Sequence, residues 1–315
     1  DRLDEARRCI GSLNCLSRVF RDLPYSCTMN PALGHEVEPE YAITPAAVKK
    51  KIMVIGAGPA GMEFATTAAK RGHDVTVFER GDRIGGNLLG YAANDLARPE
   101  DLLSVVRHYE VMAEKLGVKL QFSTDANPKF MRSVLHQYDV CVVAAGARVD
   151  REAFAHIEGR ERIADALDVA AGRVTAGRRV VVLGGNKVGL VVAESLRKRG
   201  AEVTIVEPGK RIGEDVMPTF KWRHTSWVEE LEIRVLTQAH LERVTAESAI
   251  VVDAKGAKTI IPVDSVIAAG PRRSNQELFT QFEWMVDELH GCGDALMPRG
   301  LDAAIHEGYR LGVRV

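Results

Sequence analysis

Apolar and polar positions follow two rhythms along this chain, and the clearest change from one to the other lies between Lys51 and Glu79. Ile52-Met53-Val54-Ile55 is a short unbroken apolar run rich in β-branched residues, as expected of a strand buried on both faces. It feeds Gly56-Ala57-Gly58-Pro59-Ala60-Gly61, then an Ala-rich helical run closing at Gly72, then a second strand from Val75 to Phe78. Strand, Gly-x-Gly-x-x-Gly turn, helix and acid-terminated strand form the opening βαβ unit of a dinucleotide-binding fold. Gly56 makes the tight exit from the strand, Gly58 lets backbone approach a pyrophosphate, and Gly61 lets the helix pack closely on the sheet. The pyrophosphate sits on the helix N-terminus, at Pro59 and Ala60, where the dipole and free N–H groups favour anions. Glu79 ends the second strand where a carboxylate can accept hydrogen bonds from a ribose 2′-hydroxyl.

The same change of rhythm recurs about 130 residues later, which marks an internal repeat. Arg179 to Leu183 leads into Gly184-Gly185-Asn186-Lys187-Val188-Gly189, a helix to Arg199-Gly200 and a strand from Val203 to Glu207. Asn186 replaces the middle glycine and carries a side chain towards the phosphate path. Glu207 matches Glu79, and a carboxylate there favours a free 2′-hydroxyl, hence NAD or ADP over NADP.

Between and after these units the pattern predicts a core-packing helix over Pro99 to Leu116, a strand over Val118 to Phe122 and a buried strand over Asp139 to Ala145. Ala145 and Gly146 leave room for a nucleotide, and Cys141 reads as a small hydrophobe. Val235 to Val263 alternates strand-like runs around an Asp253-Ala254-Lys255-Gly256 turn, a small antiparallel element. Asp264 to Gly270 repeats the character of Asp139 to Gly146 and is expected to return the chain to the first domain. Gly293 and Asp294 precede a helix from about Gly300 to Tyr309, placing Asp294 to meet ribityl hydroxyls or a phosphate-bound water, or else as a plain helix cap. The loop Arg80 to Leu88, with Gly85-Gly86-Asn87-Leu88, is expected to carry backbone over a flat ring system. Trp222, Trp227 and Trp284 carry no motif and are expected in core or interface packing.

Composition narrows the function classes. The 315 residues, 46% hydrophobic and 27% charged, suit a soluble chain with two core-bearing domains. A formal charge of -1 supplies no basic field for nucleic acid or an anionic membrane. No apolar run approaches the ~20 residues that span a bilayer, and a cytoplasmic address is expected. Cys9, Cys15 and Cys27 crowd into the first segment, a spacing suited to metal ligation in a reducing compartment. An iron–sulfur cluster wants four thiolates; three are present, and Ser12 stands where a C-x2-C-x2-C run would place another. The readings left open are a vestigial loop of free thiols and a cluster with serine or an external group as fourth ligand.

Cys9-Ile10-Gly11, Cys15, Cys27 and Asn30-Pro31, the first Gly-rich turn, Gly85-Gly86-Asn87-Leu88 and Leu301 to Gly308 together resemble the C-terminal half of iron–sulfur flavoenzymes of the old yellow enzyme class. That group includes 2,4-dienoyl-CoA reductase, enoate reductase and trimethylamine dehydrogenase. The resemblance covers essentially the whole chain and implies a glutathione reductase-type α/β fold, with two Rossmann-like dinucleotide-binding domains, the second inserted in the first. The division expected is 1–48 for the Cys-containing segment and linker, 49–150 with 264–315 for the FAD (or ADP) domain, and 151–263 for the NAD domain. The family's TIM barrel, with FMN and the substrate site, is absent, so the chain is expected to be a separate subunit or the downstream part of a longer polypeptide, acting within an oligomer.

By that resemblance NADH delivers hydride to FAD, and electrons pass through a 4Fe–4S cluster to FMN on a partner barrel that reduces an enoate or enoyl-CoA. Gly56, Gly58, Gly61, Glu79, Gly86 and Asp294 would hold FAD, with Pro59, Ala60, Arg80, Asn87, Leu88, Ala145, Gly146, Gly270 and Gly293 lining the nucleotide sites. Gly184, Asn186, Gly189 and Glu207 would meet NADH. Ser12, Asn186 and Val191, which stands where many members have a Glu, depart from the family pattern. Two rival readings remain: an amine-dehydrogenase-type module that binds FAD or ADP and passes electrons to an electron-transfer flavoprotein, and a non-catalytic nucleotide-binding scaffold.

Overall fold

The computed structural model describes residues 2–315. The chain divides into two compact units, one made of the chain up to Leu88, Glu100–Ala147 and Arg273–Val315, the other of Leu89–Pro99 and Arg148–Arg272. The second unit is therefore inserted in the first, as expected.

Each unit is built on a five-stranded parallel sheet; four strands follow the same order in both, and the outer strand beside them comes last in the chain in the first sheet but first in the second. In the first, Glu288–Gly291, Val140–Val143, Lys51–Ile55, Asp74–Phe78 and Lys119–Gln121 lie side by side. In the second, the order is Ile163–Asp165, Ser265–Ala268, Arg179–Leu183, Glu202–Glu207 and Arg234–Thr237. Both central strands lead into a Gly-rich turn, because a buried parallel strand that must reverse into a close-packed helix needs a residue tolerating positive φ at its exit. Gly56 (φ 105) and Gly184 (φ 98) supply it. The apolar runs of the central strands are buried throughout, Ile52, Met53 and Val54 at 0% exposure. A three-stranded antiparallel sheet, Ala239–Val244, Ser248–Asp253 and Lys258–Pro262, belongs to the second unit, its turn closed by the Gly256 N–H on Asp253 O at 3.0 Å.

The expected boundaries move in two places. Ser265–Ala268 does not return the chain to the first unit; it pairs in parallel with Arg179–Leu183 and Ile163–Asp165 inside the second sheet. The passage back comes at Arg272 and Arg273. Residues 89–99 also leave the first unit: Asn94, 4% exposed, donates to Ala170 O at 2.8 Å and accepts from Ser195 Oγ at 2.8 Å, and both partners are in the second unit. A strand at Arg234–Thr237 likewise completes the parallel sheet and is not part of the antiparallel element.

The helices fall close to where periodicity places them. Pro99–Leu116 buries Val105, Val106, Tyr109 and Met112, the apolar face read from its spacing. Leu301–Arg314 runs past Tyr309 and packs on Pro59–Lys70. Gly308 and Gly312 make that approach close: a Cβ on Gly308 would lie 2.4 Å from Ala60 O, and one on Gly312 2.7 Å from Thr67 Cβ. Trp284 and Trp222 are 91% and 62% exposed, so neither packs in the core. Among the described residues, no helix is long and apolar enough to cross a membrane.

Candidate functional site

The carboxyl ends of the first sheet converge on the turn Gly56 to Gly61. A Cβ on Gly56 would lie 2.5 Å from Ala144 O, and one on Gly61 only 2.0 Å from Gly56 O, so both glycines are demanded by packing of turn, helix and neighbouring strand. Gly58 is different: a Cβ there meets nothing within 4 Å. Gly58 is also the N-cap of Pro59–Lys70, with φ -74 and ψ 176, and no side chain caps the helix. An unfilled helix N-terminus facing open space is what a pyrophosphate requires. Pro59 at the first helical position removes one donor that would otherwise need a partner.

Around this turn the other expected residues take definite places. Glu79 braces the loop: its Oε2 accepts from the Ala57 N–H at 2.8 Å and its Oε1 from the Gly81 N–H at 2.7 Å. A carboxylate has about four lone-pair sites, so hydroxyl donors can still be accepted. The Gly85 N–H donates to Ala57 O at 2.9 Å, and a Cβ on Gly86 (φ 53) would lie 3.2 Å from Gly58 Cα, so the double-glycine loop rests directly on the phosphate turn. Asn87 then opens the helix Asn87–Asn94, Leu88 is buried and Arg80 is exposed. Ala145 and Gly146 follow Val140–Val143 half-buried, and Gly146 (φ 71) has open space where a Cβ would stand. A Cβ on Gly293 would lie 2.5 Å from Ala60 Cβ, which ties the last loop to the same helix start. Asp294 lies in a short 3-10 turn and accepts from the Arg299 N–H at 3.0 Å, bracing the loop ahead of Leu301–Arg314.

The second unit repeats this scaffold. A Cβ on Gly189 would lie 1.9 Å from Gly184 O, the counterpart of Gly61 on Gly56. Glu207 accepts from the Gly185 N–H at 2.7 Å and the Gly209 N–H at 2.6 Å, the counterpart of Glu79. Asn186 holds the Gly58 conformation, φ -78 and ψ 177, but its side chain turns back on the helix: Oδ1 accepts from the Gly189 N–H at 3.0 Å and Nδ2 donates to Ala269 O at 3.3 Å. The Lys187 N–H is held by both oxygens of Asp215, at 2.9 and 3.1 Å. Gly270 follows Ser265–Ala268, and a Cβ there would lie 2.9 Å from Asn186 Nδ2. So the first site fits a dinucleotide, while the Lys187 and Gly189 N–H groups of the second helix already carry the chain's own side-chain oxygens. Asp215 is a residue the motif search passed over; its alignment with Asn87 in the repeat was the available signal.

Comparison with known proteins agrees with two nucleotide-binding units. The family described as pyridine nucleotide-disulphide oxidoreductase matches residues 24–100 and 50–291. The chain belongs to this family. A metal reductase of Desulforamulus reducens is 32% identical over 99% of the chain and 50% of its own length. A cinnamate reductase of Clostridium sporogenes is 29% identical over 100% of the chain and 46% of its own length. Among solved structures, a 2-naphthoyl-CoA reductase in complex with 2-naphthoyl-CoA aligns with a TM-score of 0.93 and 32% identity, over 99% of this chain and 47% of that one. The chain spans about half the length of these relatives. The resemblance to the nucleotide-binding half of old yellow enzyme-type flavoproteins therefore holds.

Of the two readings of the cysteine segment, free thiols or an iron–sulfur site, the side-chain positions bear on the second. Among the described residues, no three His, Cys, Asp or Glu side chains are grouped so as to hold a metal ion. Cys9, Cys15 and Cys27 are free thiols. Tyr25 hydrogen-bonds Cys15, and that bond, with the nearby Cys27 and Cys9, pushes its phenol above the usual range, so the thiols share a neighbourhood. Ser12 is turned to Thr28, with 2.9 Å between the hydroxyl oxygens. This donor set, three thiols and a committed hydroxyl, does not fit a four-thiolate iron–sulfur cluster. Cys141 and Cys292 are sealed off: burial pushes both thiols up to about 12.

Proposed function

We propose that this chain is the FAD-carrying part of a flavin oxidoreductase that exchanges electrons with a barrel domain or subunit holding FMN. The observation that carries the reading is the first helix N-terminus, uncapped by any side chain and fronted by open space at Gly58. The N–H groups of that helix turn would take the pyrophosphate, Glu79 the ribose hydroxyls, and the backbone of Gly85 and Gly86 would cover the nucleotide. FAD, when bound, supplies a ring system that accepts two electrons and releases them singly. Around it this chain's residues bind, orient and exclude water. Glu207 supports NADH over NADPH as reductant, since a carboxylate at that strand end repels a 2′-phosphate.

Support for a partner comes from the Cys-containing segment. Leu16, Val19, Phe20, Leu23 and Tyr25 are all exposed, an apolar patch beside Cys15 and Cys27 that suits docking of a further domain. The relatives' names, a cinnamate reductase and a 2-naphthoyl-CoA reductase, support an α,β-unsaturated or aromatic acyl substrate on that partner.

A second reading has its own observation. Asp215 and Asn186 on the second helix N-terminus favour the amine-dehydrogenase mode, in which no NADH binds and electrons leave to a carrier protein. The visible spectrum and acid-released nucleotide of the purified chain test both. Flavin bands with FAD released are the expected result. A colourless protein releasing ADP sinks the FAD reading.

A further inference from the structure

From the central strand to the loop after the second strand the two units correspond at an offset of 128 positions, the offset of Glu207 from Glu79, and the end of that loop is where their helix N-termini are treated differently. Glu79 to Leu88 reads Glu-Arg-Gly-Asp-Arg-Ile-Gly-Gly-Asn-Leu, and Glu207 to Val216 reads Glu-Pro-Gly-Lys-Arg-Ile-Gly-Glu-Asp-Val. Both loops dock on their glycine turn by one bond, Gly85 N–H to Ala57 O at 2.9 Å and Gly213 N–H to Gly185 O at 2.6 Å. Beyond it the first loop takes a left-handed step at Gly86 (φ 53), and the second has Glu214 there without that step. The chain then delivers Asp215 to the helix, whose carboxylate grips the Lys187 N–H with both oxygens. The corresponding position in the first unit is Pro59, which has no N–H. With Asn186 on the Gly189 N–H as well, two N–H groups at this helix start are taken by side chains where the first helix has no side-chain cap, whereas the Glu207 bond to the Gly185 N–H is shared by both units.

We propose that Asp215 is an internal anion that holds the second nucleotide site closed to a pyrophosphate. The proposal rests on reading the second unit as the NADH site. A dinucleotide enters only when the 213–216 loop swings Asp215 off the helix, so nucleotide binding and loop position are linked. The acid is suited to this task because it satisfies the same dipole and N–H groups as a phosphate while being tethered, so it competes at high effective concentration. Glu214, next to it in the chain and exposed, adds a second negative charge to this loop.

The test is calorimetric titration of the FAD-saturated chain with ADP-ribose, which carries the pyrophosphate, and with adenosine, which does not. Wild type is compared with Asp215→Ala and with Asp215→Asn, which keeps one oxygen acceptor without the charge. Expected is ADP-ribose binding at least tenfold tighter in Asp215→Ala, a smaller gain in Asp215→Asn, and adenosine binding unchanged. Equal ADP-ribose binding by all three overturns the gate and leaves the NADH reading standing. An equal gain for adenosine overturns it too, because the pyrophosphate would not be what Asp215 excludes. No binding by wild type or by either variant, with melting curves intact, removes the NADH site and the gate together.

Discussion

At Gly58 and Gly61 one residue type serves opposite ends, three positions apart. Gly61 is buried, and a methyl group there would sit 2.0 Å from Gly56 O, a backbone atom that no shift of one side chain can clear. Gly61→Ala is therefore expected to cost more than the ~1–3 kcal/mol usual for overpacking, read as a drop in the melting midpoint. Gly58 has ordinary φ and empty space ahead of it, so Gly58→Val should fold normally and lose FAD, by at least tenfold in affinity, because its methyl groups fill the pyrophosphate's place. Wild-type flavin content in a folded Gly58→Val protein would sink the site assignment. Ser12 poses the same question for iron. Its hydroxyl is engaged by Thr28, so anaerobically prepared protein is expected to hold less than a full cluster, and Ser12→Cys to gain iron. Four irons and four sulfides per chain in the wild type would show that the thiol segment closes around a cluster after all.

At the scale of elements, the nucleotide helix is anchored from both sides. Leu301–Arg314 lies on it through glycines, and from the N-terminal segment Arg7 reaches Glu63 on the same helix at 2.8 Å. Glu63 is fully buried, and its other oxygen accepts from Tyr109 Oη at 2.9 Å, so the helix Pro99–Leu116 joins the same network. Burial and the neighbouring Glu63 carboxylate together hold the Tyr109 phenol well above its usual range, which fixes it as the donor. Removing Arg7 would leave a buried carboxylate without its cation, at a cost of about 3–5 kcal/mol. Arg7→Ala is expected to lower the melting midpoint and to expose residues 9–27 to protease. Replacing Glu63 by Gln in that background should restore much of the loss; a double variant as unstable as Arg7→Ala would show that the guanidinium acts by packing alone.

For the molecule as a whole, part of the acid sensitivity comes from histidines that fold neutral. His108 is 6% exposed, and burial first, then the nearby Arg7 and Lys70, lowers its pKa from 6.5 to about 4. His73 is lowered too, by burial first and then by Arg71 and Lys50. A base whose folded pKa is depressed binds its proton sooner when unfolded, so this contribution is complete above pH 6.5 and is lost as pH falls towards 4. The loss from His108 is on the order of 2 kcal/mol. Denaturant midpoints from pH 7 to 4 should fall less steeply in His108→Leu than in the wild type; parallel profiles would remove His108 as the cause.

What could be read from the residues alone was whatever is carried by local pattern. Ile52 to Ile55 with its glycines, the matching run at Arg179, and the acid ending each second strand announce the βαβ units, because buried strands and tight turns restrict residue type position by position. The nesting of one unit in the other came with the family resemblance, and the strand read locally as the return, Ser265–Ala268, stays in the second sheet. What tertiary structure alone decided is where Ser265–Ala268 pairs, which unit takes 89–99, and what occupies the second helix N-terminus. Strand pairing partners and the aim of a loop carboxylate depend on contacts between residues far apart in the chain, and an apolar strand such as Val266-Ile267-Ala268 is equally at home in either sheet. Asp215 looks in the sequence like an ordinary solvated acid; only the fold brings it to the Lys187 N–H, where its charge stands in a phosphate's place.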